Sequence, residues 1–143
     1  MHCVAFPFKK PYLFCMQPVI VVHHHEITLK RDNRGFFEKQ LLRNIRLSLA
    51  EFIHPSRIRG GYGRFIIEPD VPEHLNEIGE RLKTIFGLAN ICTGVKVEQD
   101  IGKFCEAAES ILVDRSFSTI RVETRRPDKN FPTRSMDVNA KVG

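Results

Sequence analysis

The chain has 143 residues, 42% of them hydrophobic and 27% charged, and its formal net charge is +5. This length allows one domain or two small ones, and the composition is ordinary for a soluble globular protein. No apolar run approaches the ~18 residues that a membrane-spanning helix needs, and the first residues lack the apolar region of a signal peptide. Four cysteines without a Cys-x-x-Cys pair argue against a structural zinc site. We therefore expect a cytoplasmic protein with no membrane partner, and the basic excess is compatible with nucleic acid without requiring it.

The first unit opens with a strand and a helix. Residues 18–23 form a short β-branched run that predicts a buried strand. Residues 36–53 then carry apolar side chains at helical spacing, and Pro55 ends the helix. The positions predicted to face the core are Phe37, Leu41, Ile45, Leu49 and Phe52.

The second half of this unit contains two more strands and another helix. Three glycines in residues 60–63 predict a hairpin-like connection into a strand at 65–67. Asp70 and Glu73 form the pattern of a capping box, and the helix that follows runs out by Gly87. Residues 88–97 predict the last strand. The order β-α-β-β-α-β is that of a ferredoxin-like α+β domain, with two helices on one face of a four-stranded antiparallel sheet.

The residues outside this unit carry too few predicted elements to form a second complete domain. The apolar spacing of residues 101–112 predicts a helix, and alternation over residues 120–125 predicts a half-buried strand. Ser135 is the predicted cap of a further helix, with Asp137 in its first turn. These elements cannot close a core alone, so we expect residues 99–143 to be an incomplete domain and the chain to be a fragment. Residues 1–16 show no period and predict an irregular leader, with Met16 an alternative start.

A basic loop near the C-terminus is the strongest functional signal. Several cations surround one aromatic ring between residues 125 and 137, an arrangement that grips single-stranded nucleic acid. Phe131 could stack on a base or plug the loop from below, and a solvated basic loop is the bland alternative. The RNA-contact candidates in this loop are Arg125, Arg126, Lys129, Phe131 and Arg134.

A second basic set surrounds the first helix, where a solvated helix face is the alternative interpretation. Arg57, Arg59 and Arg64, near the glycines, could extend the same basic surface. The members of the second set are Lys30, Arg34, Lys39, Arg43 and Arg46.

Neither a metal site nor a catalytic site is predicted. In a strand, His23 and His25 point to one side and His24 to the other, and only Glu26 adjoins them as a further ligand. No nucleophile accompanies Glu26, Asp32 or Glu38, and carboxylates in such positions usually cap helices or form ion pairs. We expect no catalytic residue and no cofactor in this chain.

Two blocks resemble a known family. Residues 25–45, which read His-Glu-Ile-Thr-Leu-Lys-Arg-Asp-Asn-Arg-Gly-Phe-Phe-Glu-Lys-Gln-Leu-Leu-Arg-Asn-Ile, resemble the opening of the tRNA 4-thiouridine synthetases, or tRNA sulfurtransferases. Residues 125–138, with Arg-Arg-Pro-Asp-Lys-Asn-Phe-Pro-Thr-Arg-Ser-Met-Asp-Val, resemble a stretch of the THUMP domain in that family. The resemblance covers roughly residues 17–143. It departs at Arg31, where the family has Gly, and at Asp137, where it has Glu.

The resemblance implies a division into three parts. These are a leader (1–16), an N-terminal ferredoxin-like domain (17–98) and the first part of an α/β THUMP domain (99–143). In the family the last two bind tRNA, and a later PP-loop domain uses ATP to thiolate a uridine. No Ser-Gly-Gly-x-Asp-Ser-like loop occurs here, so ATP and a cysteine desulfurase partner are expected only for a full-length enzyme, as is any role in thiazole synthesis.

The resemblance leaves alternatives open. A THUMP-type portion of another tRNA-modifying enzyme would also bind RNA, and a small α+β interaction domain would not. A homodimer is compatible with each of these, and the sequence specifies neither the tRNAs bound nor the sulfur donor.

Overall fold

The computed structural model describes residues 16–24, 33–61, 63–125 and 130–143. Two short 3₁₀ turns, Pro55–Arg57 and Pro72–His74, precede β2 and α2. The regular elements are β1 (Gln17–His24), α1 (Arg34–Ser48), β2 (Ile58–Gly61), β3 (Arg64–Ile67), α2 (Leu75–Lys83), β4 (Leu88–Lys96), α3 (Ile101–Leu112) and α4 (Ser135–Val142).

The four strands form one antiparallel sheet in the order β2-β3-β1-β4. With α1 between β1 and β2, and α2 between β3 and β4, this is the predicted ferredoxin-like arrangement, which is confirmed. In the register of β1 and β3, Val22 pairs with Phe65 and His23 with Arg64. Because side chains alternate along a strand, the first pair faces the helices and the second faces the other side of the sheet.

The core lies between the sheet and the two helices. Ile20 and Val22 of β1 are fully buried, as are Ile45 of α1 and Ile78 of α2. They belong to a single cluster, so both helices cover the same face of the sheet. All five of the core positions predicted for this helix are members of the cluster or pack against its edge, and three of them, Leu41, Ile45 and Leu49, are buried.

The ends of α2 differ in part from prediction. The capping box is wrong: the helix is not capped by a side chain, and the Asp70 carboxylate instead accepts from the Arg57 guanidinium at 3.1 Å. A nearby cation therefore competes successfully with the orphan N–H groups of the helix for this carboxylate. The predicted end at Gly87 fits, since this residue has a φ of 95°, a conformation that favours glycine.

The C-terminal residues pack as a helix pair with an extended segment. Ala107 of α3 and Val138 of α4 are buried, and Asp100 caps α3 by accepting from the Lys103 N–H at 3.1 Å. The strand predicted over residues 120–125 is wrong, because this segment has no strand to pair with in the described part of the chain. The Thr124 N–H donates instead to Asn139 Oδ1 of α4, at 2.9 Å.

The predicted cap of α4 is wrong by one residue. Arg134, in extended conformation, is the N-cap, and Ser135 is the first helical residue without a capping bond. Asp137 lies in the first turn as expected. Apart from Met16, the predicted leader lies outside the described residues.

Candidate nucleic-acid interface

Positive side chains from three elements meet at the end of the sheet where β1 finishes, which we call the basic end. His23 and Arg64 are cross-strand partners there. Arg34, the first residue of α1, lies over the β2–β3 turn: a methyl group on Gly63 would lie 3.6 Å from its Nη2 atom. The strand order explains this meeting, since β1 ends where α1 begins and where the β2–β3 hairpin turns.

Arg125 brings the C-terminal segment to the same place. Burial lowers the pKa of His23, and the positive charges of Arg64 and then Arg125 lower it further. Both guanidinium groups therefore lie within electrostatic range of this imidazole and favour its neutral form. The bond between Thr124 and Asn139 fixes the neighbouring backbone, so the Arg125 side chain is carried by an anchored segment.

The acidic groups at the basic end neutralise only part of this charge. Arg34 pairs with Glu38 at 3.0 Å and Arg125 with Glu123 at 3.4 Å, and both arginine side chains remain more than half exposed. No ion pair of Arg64 is seen within the described ranges. Such a surface can attract an anion while keeping its side chains in place.

At the other end of the sheet, the cations surround a buried carboxylate. Glu68, only 4% exposed, accepts from Arg59 at 3.1 Å and from Lys96 at 2.9 Å, with Arg57 at 4.0 Å. The hydrogen bond from Lys96 is the largest cause that lowers the pKa of Glu68, and the three positive charges lower it further against the effect of burial. Of the arginines near the glycines, Arg57 and Arg59 are therefore engaged here, and Arg64 alone belongs to the basic end.

The outer face of α1 carries two further candidates. Lys39 and Arg43 are exposed on the side opposite the core, one helical turn apart. Arg46, predicted to share their face, is partly buried and donates to the Ile58 carbonyl oxygen of β2 at 3.1 Å. The prediction for Arg46 is wrong, because this side chain satisfies an edge-strand carbonyl instead of facing solvent.

The two remaining described candidates flank the start of α4. Phe131 is partly buried, with its ring centroid 5.9 Å from that of Phe104 on α3. This contact is the one expected of a plug beneath the loop. Arg134 is exposed at the N-cap of α4. Lys30, Arg126 and Lys129 lie outside the described residues, as do His25, Glu26 and Asp32.

The histidines have structural partners. His24 Nε2 lies 3.3 Å from Glu38 Oε1, and its ring is 5.6 Å from that of Phe65. Within the described ranges, no group of three or more His, Cys, Asp or Glu side chains could hold a metal ion. In the same ranges, no helix combines the length and apolar character needed to cross a bilayer.

Sequence reasoning missed the meeting of Arg34, Arg64 and Arg125, although each residue was named. Their separation of up to 91 positions hides this proximity, which depends on strand order for Arg34 and Arg64 and on the bond to α4 for the segment that carries Arg125. It also missed two exposed aromatic residues near the basic end, Phe36 and Phe86. The Phe-Gly pair at 86–87, immediately after a helix, was the available signal.

Comparison with known proteins places this geometry in context. Residues 19–92 match the family model of the ThiI ferredoxin-like domain. The chain is 35% identical over 128 residues to a "Probable tRNA sulfurtransferase" of Thermoanaerobacter sp. (strain X514), covering 90% of this chain and 33% of that protein. A protein of the same name from Agathobacter rectalis is 35% identical over 134 residues, which cover 90% of this chain and 34% of that protein.

Two solved structures share the fold. A 4-thiouridine synthetase in complex with RNA and ATP gives a TM-score of 0.68 at 25% identity, over 88% of this chain and 32% of that one. PH1313 from Pyrococcus horikoshii Ot3 gives a TM-score of 0.69 at 30% identity, over 87% of this chain and 42% of that one. The chain spans about a third of the length of the curated relatives it matches.

Proposed function

Because the chain belongs to the ThiI family of tRNA sulfurtransferases through its ferredoxin-like domain, we propose that it binds tRNA and holds it for thiolation of a uridine. The observation that carries the proposal is the meeting of Arg34, Arg64 and Arg125 at the basic end. Phosphate groups supply most of the affinity for RNA, and arginine binds them through several donors at once. The fold match to a synthetase–RNA complex supports the same partner.

The chemistry of thiolation would belong to other parts of a longer enzyme. Residues 99–143 would begin a THUMP domain, and a PP-loop domain outside this chain would bind ATP and activate the uridine. A cysteine desulfurase would supply sulfur to that enzyme, in the cytoplasm. The role of this chain is then binding and orientation of the tRNA, by phosphate contacts for affinity and by shape for selectivity.

A titration of the chain with tRNA across salt concentrations tests the proposal. Each phosphate contact that is lost should lower the salt dependence, the slope of log K against log salt, by roughly one. We expect R64E and R125E each to weaken binding and reduce this slope. Equal affinity for tRNA and duplex DNA, or binding that is insensitive to salt, would contradict the proposal.

Lys103 provides the matched control. It lies in the first turn of α3, which begins at the end of the fold opposite the basic end, and it pairs with Glu106 at 2.9 Å. K103E makes the same change in net charge as R64E, so a purely global electrostatic effect would weaken both variants equally. Under the proposal, only the variants at the basic end lose most of their affinity.

Two other functions are distinguished, one by the family match and one by the same titration. A THUMP-type portion of a different tRNA-modifying enzyme would retain salt-dependent RNA binding, and the ThiI-type ferredoxin-like match over residues 19–92 argues against it. An interaction domain without RNA would give no tRNA binding at any salt concentration.

A further inference from the structure

Two phenylalanine side chains near the basic end are exposed to an extent that folding does not explain. Phe86 is 91% exposed and Phe36 is 75% exposed, whereas a core aromatic side chain would be almost fully buried. Their neighbours Phe37, Ile85 and Leu88 all pack against the core cluster. The segments on both sides are therefore fixed, and these two rings are held outside a core that their neighbours help to form.

Gly87, the residue after Phe86, is held close to α1. Gly87 has a positive φ, and a methyl group there would lie 3.4 Å from Phe37 and 3.7 Å from Leu41 of α1. The turn between α2 and β4 is thus pressed against the first turns of α1. Phe36 immediately precedes Phe37, and Phe86 immediately precedes Gly87, so each exposed ring is one residue away from the place where this turn meets α1.

Two cations share the helix face that carries Phe36. Along α1, Phe36 shares the outer face with Lys39 and Arg43, at spacings of three and four residues. This face spans about 10 Å and has no acidic residue between Phe36 and Arg43 on its exposed side. Arg34 of the basic end is the first residue of the same helix, and its side chain lies beside Gly63, which precedes Arg64.

Exposed aromatic rings next to cations can bind nucleotides that are not base-paired. Bases that are not in a duplex stack on aromatic side chains, while neighbouring cations bind the phosphates that connect them. A duplex offers the same phosphates but no free base faces. We propose that Phe86 and Phe36 form a stacking surface for unpaired bases of the RNA whose phosphates bind at the basic end; this inference rests on the proposed function.

The test compares two RNA probes with the chain: a blunt hairpin, and the same hairpin with an unpaired tail. The wild-type chain should bind the tailed hairpin more tightly. F86A should lower the affinity for the tailed hairpin by roughly 5- to 150-fold, the range expected for one stacked base, and leave the blunt hairpin unchanged. F36A should act in the same direction, and F86W should restore the preference because it retains an aromatic face.

Phe117 supplies the matched control, since it is 50% exposed and lies between α3 and α4, outside this surface. F117A should leave the preference for the tail unchanged. A tail preference that persists in F86A, or an equal loss for both hairpins, would overturn the stacking surface while leaving the proposed function intact. Absence of RNA binding by the wild-type chain would overturn both, and a change in oligomeric state of F86A with unchanged RNA binding would identify a protein contact instead.

Discussion

At the scale of single residues, Glu68 is the most constrained acidic group described. Its buried carboxylate binds side chains from β2 and β4, so one residue after β3 connects both outer strands of the sheet. An ionised carboxylate in such a position is stable only while its partners remain, because its hydration has been lost. Arg59 and Lys96 are thereby held as structural partners, in contrast to the arginines at the basic end.

We expect E68Q to lower the free energy of unfolding by about 1–3 kcal/mol, since one buried amide cannot replace a carboxylate that accepts from two cations. Chemical denaturation at pH 7 measures this. The control is E98Q, which removes the same charge from an exposed residue near the end of β4 and should change stability by under ~0.5 kcal/mol. Equal losses in both variants would contradict the assigned role of Glu68.

At the scale of elements, α3 depends on a side-chain cap that α1, α2 and α4 lack. The Asp100 carboxylate accepts from the Lys103 N–H, and this satisfies one of the donors left open at a helix N-terminus. Because α3 packs on α4, and α4 holds the segment that ends at Arg125, the cap contributes to the position of a candidate RNA contact.

D100A should destabilise the chain by about 1 kcal/mol through loss of the cap, and D100N should recover most of this because asparagine also caps helices. Thermal unfolding followed by circular dichroism measures both variants. If the alanine and asparagine variants unfold at the same temperature, the capping bond is not the source of the effect.

A second element-scale prediction concerns the extended segment before Arg125. N139L should remove the bond to the Thr124 N–H and loosen this segment, because the leucine side chain has no acceptor. Amide hydrogen exchange at Thr124 should accelerate, while exchange in β1 and β3 stays unchanged. Unchanged protection at Thr124 would show that something other than this bond anchors the segment.

At the scale of the whole molecule, charge is divided between the two ends of the sheet. Three cations lie around the buried carboxylate of Glu68 at one end, whereas at the basic end Arg34 and Arg125 pair with the solvent-accessible carboxylates of Glu38 and Glu123. The two ends therefore differ in how deeply their carboxylates are buried, not in the number of charges.

Both groups with lowered pKa values make the fold less stable in acid. A lowered pKa in the folded state means that the unfolded chain binds the proton more readily, so stability falls as pH falls. We expect a first loss as pH drops below about 6.5, from His23, and a second below about 4.5, from Glu68. Unfolding free energies measured from pH 8 to pH 3 check this; H23Q should remove the first step and E68Q the second.

Sequence by itself determined the order and type of the elements of the ferredoxin-like unit. Periods of two and of about 3.6, together with Pro55 and Gly87, are local signals. The resemblance to the family depended instead on the two motif blocks at residues 25–45 and 125–138. Local signals failed where a distant group competed for the same atoms. Asp70 bonds to Arg57 instead of capping α2, Arg46 bonds to Ile58, and residues 120–125 find a side chain of α4 instead of a partner strand.

Only the tertiary structure decided which basic residues act together. The strand order β2-β3-β1-β4 places the β2–β3 turn beside the end of β1, and this brings Arg34 and Arg64 to one end of the sheet. The segment bonded to α4 brings Arg125 within electrostatic range of His23 at the same end. Charge alone did not separate Arg64 from Arg57 and Arg59, because that distinction depends on the buried carboxylate of Glu68. Long-range packing determines which cations pair with a buried carboxylate. The sequence alone does not show these partners.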